Sequence, residues 1–224
     1  MPNLRSSRPS KSVEDYLKAI WLNSEDGPVA TGTVAVSLGV SDASVSGMLG
    51  KLDDQGLVRY TRYHGAQLTA SGERAALQLL RRHRLIEAFL IEYLGYGWGE
   101  VHGEAEALEH AVSDLFSERL AALLGHPTHD PHGDPIPKRD GALPDTPDTP
   151  LTEAALDRSF LVSRLKTQDT DILSYFTELG IYPGQRVEVR HHEPVGGLVK
   201  VAIGGNPHVL ANELAVLIRG EVVV

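Results

Sequence analysis

Apolar residues recur at helical spacing near the start of the chain. Val13, Leu17, Ile20 and Trp21 form one stripe, which predicts a helix opening near Ser12 and ended by Gly27-Pro28. Ser12 can cap it, and Ser12-Val-Glu-Asp15 has the form of a weak capping box. Val34, Ala35 and Leu38, then Gly39-Val40-Ser41, then Val45, Met48, Leu49 and Leu52 predict two short helices around a glycine turn. Ser41 suits the N-cap of the second helix and Gly56 its C-terminal stop. Leu57–Tyr60 and Ala66–Thr69 read as two strands around Tyr63-His64-Gly65. A helix-turn-helix followed by a hairpin is a winged helix, here about residues 12–70.

A long helix follows, about Ser71–Leu94, broken by Gly95, Gly97 and Gly99. The next periodic stretch predicts one helix from about Glu100 to Leu124, stopped by Gly125 and Pro127. Between 126 and 150 the chain holds seven of its 13 prolines, which reads as a linker or extended surface segment without its own core. Beyond 151, short strands are expected at 186–190, 198–203, 208–210 and 217–224, with a short helix near 171–179. The fold expected is multidomain α+β: a winged helix-turn-helix (1–70), a helical domain (71–140), a proline-rich linker (141–150) and a small β-barrel (151–224).

Length and composition sharpen this. The 224 residues have room for one large or several small domains, and 42% apolar with 23% charged residues excludes whole-chain disorder. There is no cysteine, which excludes disulfides, thiol catalysis and sulfur-ligated metal sites built on cysteine. No apolar run reaches about 18 residues, so no membrane span is expected. The basic start lacks an apolar h-region, so a cytoplasmic protein is expected. The net charge is −9, but residues 1–70 carry seven basic and seven acidic groups, the least acidic third of the chain.

That distribution permits a local DNA-binding face. The second helix of the helix-turn-helix presents Ser41, Ser44, Ser46 and Lys51, with Gly47 allowing close approach to base edges. Arg5, Arg8 and Lys11 in the N-terminal arm, and Arg59, Arg62, Tyr63 and His64 in the wing, suit the flanking phosphates. A winged helix used for protein contact is the competing reading.

A second chemistry lies on the helical segment. His83 and Glu87 fall on the apolar stripe of Ala76, Leu79, Leu80 and Leu90, where polar groups need partners. His102, Glu106, Glu109 and His110 fall at offsets that place them on one face of the expected helix. Imidazole with carboxylate suits Mn(II), Fe(II), Co(II) or Zn(II). Asp15 is a further ligand within this reading. A solvated Glu/His face, a helix-dipole carboxylate at Asp15 and a hydrogen-bonded core histidine at His83 are the ordinary readings of the same residues. His126, His129, Asp130, His132 and Asp134 also admit a metal-site reading.

The chain resembles the metal-dependent transcriptional repressors of the diphtheria-toxin-repressor (DtxR/MntR) family. The resemblance rests on Ser12–Lys18, Val45–Leu52, Leu68–Gly72, Arg82–Glu87, Val101–His110 and Asp130–Pro137. It is close over about 10–140 and looser over the C-terminal segment, which is similar to the family's SH3-like (FeoA-type) domain. It implies a homodimer, two metal sites per subunit, a palindromic double-stranded operator and metal-activated repression of metal-uptake genes. Its primary site corresponds to Asp15, Glu106, Glu109 and His110, its ancillary site to His83, Glu87 and His102. Iron-sensing members carry Met and Cys where this chain has Asp15 and Glu106. Oxygen in place of sulfur favours Mn(II), with Fe(II) second and other divalent ions binding in vitro. Two positions depart from the family: Lys18 stands where short manganese sensors have an acidic residue, and Ile172 replaces a glutamine ligand, leaving Asp169 as the candidate ligand from the C-terminal domain. No organic cofactor, no membrane partner and no enzymatic activity are implied.

Three other functions compete. A metal-independent winged-helix regulator would bind DNA equally with chelator present. A metal hydrolase needs an open coordination position and a positioned base, and no His-Glu-x-x-His motif occurs. A metal-storage accessory protein leaves the winged helix without a role.

Overall fold

The computed structural model describes residues 8–24, 27–193 and 197–223. The chain divides into two compact units, Met1–Arg81 with Arg139–Gly141, and Arg82–Lys138 with Ala142–Val224.

In the first unit, α1 (Lys11–Leu22) opens slightly earlier than expected. Ser10, not Ser12, is its N-cap, and the Ser10 carbonyl accepts from Glu14 N–H at 3.0 Å. The helix also ends before Gly27-Pro28, because the Asn23 and Ser24 side chains donate back to the carbonyls of Ala19 and Trp21. Helix α2 (Thr31–Leu38) stops at Gly39, whose φ of 64° is left-handed. Helix α3 (Asp42–Asp54) starts from Ser41, whose Oγ accepts from Ser44 N–H at 3.3 Å. Strands β1 (Val58–Thr61) and β2 (Gly65–Leu68) form an antiparallel hairpin in which Val58 faces Leu68 and Thr61 faces Gly65. Val29 bridges Ala66, and a Cβ on Gly65 would lie 2.5 Å from the Val29 carbonyl oxygen, so only glycine fits there. Leu17, Ile20, Val34, Val45, Leu49, Leu52 and Val58 fill the core and fix the outward face of α3.

Helix α4 (Ala70–Leu94) contributes its residues from Arg82 onward to the second unit. The single helix expected over 100–124 is two: α5 (Val101–Leu108) and α6 (Asp114–Leu123). Ser113 makes the break, its Oγ accepting from Phe116 N–H at 3.2 Å as a fresh N-cap. Their core is Leu85, Ile86, Leu90, Val101, Ala105 and Leu120.

The remaining elements are β3 (Thr149–Pro150), β4 (Ser159–Leu165), α7 (Thr170–Glu178), β5 (Arg186–His192), β6 (Leu198–Ile203), β7 (Asn206–Ala211), α8 (Asn212–Ala215) and β8 (Ile218–Val223). They build a six-stranded antiparallel sheet in the order β3-β8-β4-β5-β6-β7. Among the described residues the sheet is open, not the closed barrel expected. Its edge β3 is only Thr149–Pro150, and a proline offers no N–H to a further ladder. Strand β4, which periodicity did not reveal, is central, and its Phe160 and Val162 are buried beside Phe176 of α7. Burying each of the two phenylalanines stabilises the sheet by about 1.5–3 kcal/mol.

The proline-rich stretch is not a loose spacer. Asp130, His132 and Ile136 are buried. Leu165 N–H donates to the His132 carbonyl at 2.9 Å, Ser163 Oγ to that of Pro147 and Arg219 to that of Asp148. A Cβ on Gly133 would overlap the Ser163 carbonyl, 2.0 Å away. The segment is thus stitched along β4 and β8.

Candidate metal centre and nucleic-acid interface

His83 and Glu87 stand one turn apart on α4, and His102 lies in the first turn of α5. Their donor atoms converge: His83 Nε2 is 3.0 Å from Glu87 Oε1 and 3.1 Å from His102 Nδ1, which is itself 3.2 Å from Glu87 Oε1. Ligand atoms held at right angles, about 2.1 Å from a first-row divalent ion, are about 3 Å apart. A lone pair on either imidazole cannot face that carboxylate oxygen stably without a proton or a cation between them. The donor set therefore fits a divalent cation.

Burial pushes the Glu87 carboxyl up, but the charge of His83 and hydrogen bonds from His102 and His83 outweigh it and hold the group well below the usual carboxylate range. Burial likewise depresses His102, and hydrogen bonds to Glu106 and Glu87, with their charges, reverse this and raise it to about 9. A histidine raised from 6.5 stabilises the metal-free fold fully below pH 6.5, and that contribution fades as pH rises through 9. The metal-free protein is expected to lose about 3 kcal/mol of unfolding free energy across that window. Urea unfolding in chelator measures it, and a His102→Gln variant should lack the slope.

Glu87 also faces the proline-rich segment. One ligand atom each of Glu87, Asp130 and His132 lie within 4.8 Å of one another, all three residues buried. His132 is 4% exposed, its ring stands edge-on to Trp98 at 5.1 Å, and its Nε2 has no hydrogen-bond partner among the described residues. Burial lowers the His132 pKa. Burial and the charges of Asp134 and Glu87 raise that of Asp130, against the opposing Arg84 guanidinium. Asp130 Oδ1 accepts the N–H groups of His132 and Asp134, both at 2.9 Å. Arg84 lies 3.7 Å from Asp130 Oδ2 and from Asp134 Oδ1. The sequence offered the Asp130-x-His132 spacing, but not its meeting with Glu87. His126, His129 and Asp134 do not join this group: His129 bonds Thr128 and Thr146 instead.

The one-face arrangement of His102, Glu106, Glu109 and His110 does not hold, because α5 ends at Leu108. Glu109 turns inward and is 1% exposed, whereas the Glu106 side chain is 55% exposed and 3.5 Å from His102 Nε2. Glu109 Oε2 lies 2.6 Å from His83 Nδ1, and its Oε1 lies 3.4 Å from His110 Nε2. Asp15 sits half-buried on α1 of the first unit, one turn before buried Lys18. Asp169 enters neither cluster of the second unit. It is the N-cap of α7, where its Oδ1 accepts from Asp171 and Ile172 N–H at 3.0 and 3.1 Å.

On α3, Ser44, Ser46, Gly47 and Lys51 are exposed while Val45, Leu49 and Leu52 face the core. A Cβ on Gly47 would meet nothing within 4 Å. Ser41 is exposed but its Oγ is committed to the cap. On the wing Arg59, Arg62, Tyr63 and His64 are exposed. Tyr63 adopts φ 68° at the tip, with the Arg62 guanidinium 5.0 Å from its ring centroid. Lys11 is exposed at the start of α1. Arg8 is no loose arm: its Nε pairs at 2.8 Å with Oε1 of buried Glu14. Arg5 lies outside the described residues. No described helix is long and apolar enough to cross a membrane.

Comparison with known proteins gives a consistent picture. Residues 10–66 match the family model of the iron dependent repressor N-terminal DNA binding domain, and 69–138 that of its metal binding and dimerisation domain. Residues 149–222 match the FeoA domain. The chain is 30% identical to the iron-dependent repressor IdeR of Mycobacterium leprae, across 94% of this chain and 96% of that protein. It is 28% identical to the diphtheria toxin repressor of Corynebacterium diphtheriae over 94% and 96%. Among solved structures, a manganese-dependent transcriptional repressor complexed with manganese is 41% identical, with a TM-score of 0.89 over 94% of this chain and all of that one. The manganese regulator SloR is 33% identical, with a TM-score of 0.79 over 96% and 99%.

Proposed function

Since the chain belongs to the iron-dependent (diphtheria toxin) repressor family of metal-dependent, DNA-binding transcriptional repressors, we propose that it is activated by Mn(II) and represses metal-uptake genes. The observation that carries this is the triangle of buried His83 and Glu87 with half-buried His102. It offers nitrogen and oxygen donors at ligand spacing, and no sulfur. The triangle is a general divalent site, and the choice of metal rests on the proposed primary set, where the carboxylates Asp15 and Glu106 in place of sulfur suit hard Mn(II), with Fe(II) second and other divalent ions as in vitro substitutes. The manganese named in the related structures supports the same choice.

Three ligand groups make up the proposed metal binding. His83, Glu87 and His102 form the ancillary set. Asp130 and His132 extend it through the shared Glu87. Asp15, Glu106, Glu109 and His110 form the primary set, which the family resemblance supports. Asp169 is left to cap α7. A divalent cation supplies positive charge that offsets the mutual repulsion of these carboxylates, and it acts by differential affinity for the DNA-competent form. The exposed leucines and phenylalanine of α6, Leu115, Phe116 and Leu123, support a homodimer. Two copies of α3 then read a palindromic operator in successive major grooves, with Lys11, Arg59, Arg62 and Tyr63 on flanking phosphates. The setting is the cytoplasm, and the role involves no catalysis.

The test is operator binding against Mn(II) concentration for wild type, Asp15→Ala and His110→Ala, with circular dichroism as folding control. Both variants should fold and dimerise yet lose metal-dependent binding. A normal metal response in both variants would sink the primary set. Binding by the wild type that is indifferent to chelator would favour the metal-independent regulator.

A further inference from the structure

We infer that Asp42 is a specificity-determining residue of α3, and that it selects cytosine at one symmetric pair of operator positions. This rests on the reading of α3 as the helix that enters the major groove, and deepens it. Asp42 is the first residue of α3, is exposed, and among the described residues takes part in no hydrogen bond or ion pair. It is the acidic group of the first turn, whereas Asp53 lies in the last turn, where its Oδ1 accepts from Tyr60 N–H at 3.1 Å. The neighbouring side chains leave base selection to it. Ser41 and Ser44 hold each other: their Oγ atoms are 2.9 Å apart, and Ser41 Oγ also accepts from Ser44 N–H. Ala43 and Gly47, one turn apart on the exposed face, have no hydrogen-bonding side chain. Ser46 is exposed, but a hydroxyl both donates and accepts, so it fits any base edge. Lys51 lies about 13 Å further along the axis, where its point charge suits a phosphate.

A carboxylate only accepts. In the major groove cytosine N4 and adenine N6 donate, whereas guanine N7 and O6 and thymine O4 accept and would face the carboxylate lone pair to lone pair. Adenine also sets its N7 acceptor beside N6, while cytosine has a C–H beside its amino group. Cytosine is therefore the base that Asp42 prefers. Guanine and thymine are rejected by repulsion as well as by the missing bond. Phosphates repel the same charge, which keeps Asp42 off the backbone and on the base edge. Its reach is short, and the small neighbours supply the close approach that it needs. A Cβ on Gly47 would meet nothing within 4 Å, so no protein atom stands between this face and the groove floor.

The full chain with Mn(II) selects from a randomised pool of double-stranded DNA at fixed salt. The selected motif is then changed base by base and read by fluorescence anisotropy. Wild type should show a symmetric pair of cytosines whose replacement by guanine or thymine weakens binding about tenfold or more. Asp42→Asn is nearly isosteric and presents an amide that pairs with adenine N6 and N7. It should move the preference at those two positions from cytosine to adenine, and at no others. Asp42→Ala should flatten those two positions while the rest of the motif, and Mn(II) binding without DNA, stay as in wild type. Thermal melts in chelator check folding, and Asp42→Asn decides alone if the alanine variant is unstable. A motif in Asp42→Asn that matches wild type at every position overturns the inference. So does a uniform gain in affinity for all sequences in Asp42→Ala, which is the mark of a carboxylate that only repels phosphate. A wild type that selects no motif overturns the reading of α3 itself, and the inference with it.

Discussion

Glu87→Gln should weaken Mn(II) binding at the ancillary set by about 100-fold or more, with operator binding then demanding correspondingly more metal. The substitution is nearly isosteric, so the change is one of charge and donor type. Glu87 supplies the only carboxylate of the triangle and also the carboxylate shared with Asp130 and His132. An amide in its place puts either a weaker neutral oxygen or an NH2 group against the two imidazoles. The metal-free fold should suffer as well. Glu87 is held below the usual carboxylate range in the native state, so it contributes stability above its unfolded pKa of 4.5, which is lost as pH falls. Removing that buried charge from its histidine partners should cost on the order of 3 kcal/mol at pH 7. Calorimetric Mn(II) titration and urea unfolding in chelator read the two effects separately. A Mn(II) isotherm that superimposes on wild type would exclude Glu87 as a ligand.

Gly47→Leu should separate DNA binding from folding. Residue 47 lies on the exposed face of α3, with no atom within 4 Å of the position a Cβ would take. Leucine has the better helix propensity, so the fold should hold or gain by about 0.8 kcal/mol. In the complex the same face must approach base edges in the major groove, where a leucine side chain prevents the backbone from closing in. Operator affinity should fall about 100-fold or more at fixed Mn(II) and salt, while Mn(II) binding remains. Gel shift or fluorescence anisotropy measures the first, calorimetry the second. Unchanged operator affinity would mean that α3 does not enter the groove.

The N-terminal half was legible because its signals are local. The stripe of Leu17 and Ile20, the left-handed Gly39, the Ser41 cap and the hairpin around Tyr63 each act within a few residues, and the structure has them all. The pairing of His83 with Glu87 was legible for the same reason, since the two share a stripe at a spacing of four. Element ends were less so. Ser12 looked like a cap, yet Ser10 holds that place, and the quieter Ser113 cap divided a helix that periodicity had run straight through.

By itself the sequence determined the winged helix, the outward face of α3 and the oxygen-and-nitrogen donor inventory, because spacing along one helix or hairpin sets which side chains share a face. Only the tertiary structure decided which donors meet. The contacts of His83 with His102 and Glu109 cross 19 and 26 residues, and the meeting of Glu87 with Asp130 and His132 needs the proline-rich segment stitched against β4. It likewise turned Glu109 inward and Glu106 outward, tied Arg8 to Glu14, gave Asp169 to a helix cap and left the sheet open. Such outcomes depend on how helices and loops distant in sequence pack, and on where buried polar groups find partners. Neither quantity is encoded in the period of any one segment.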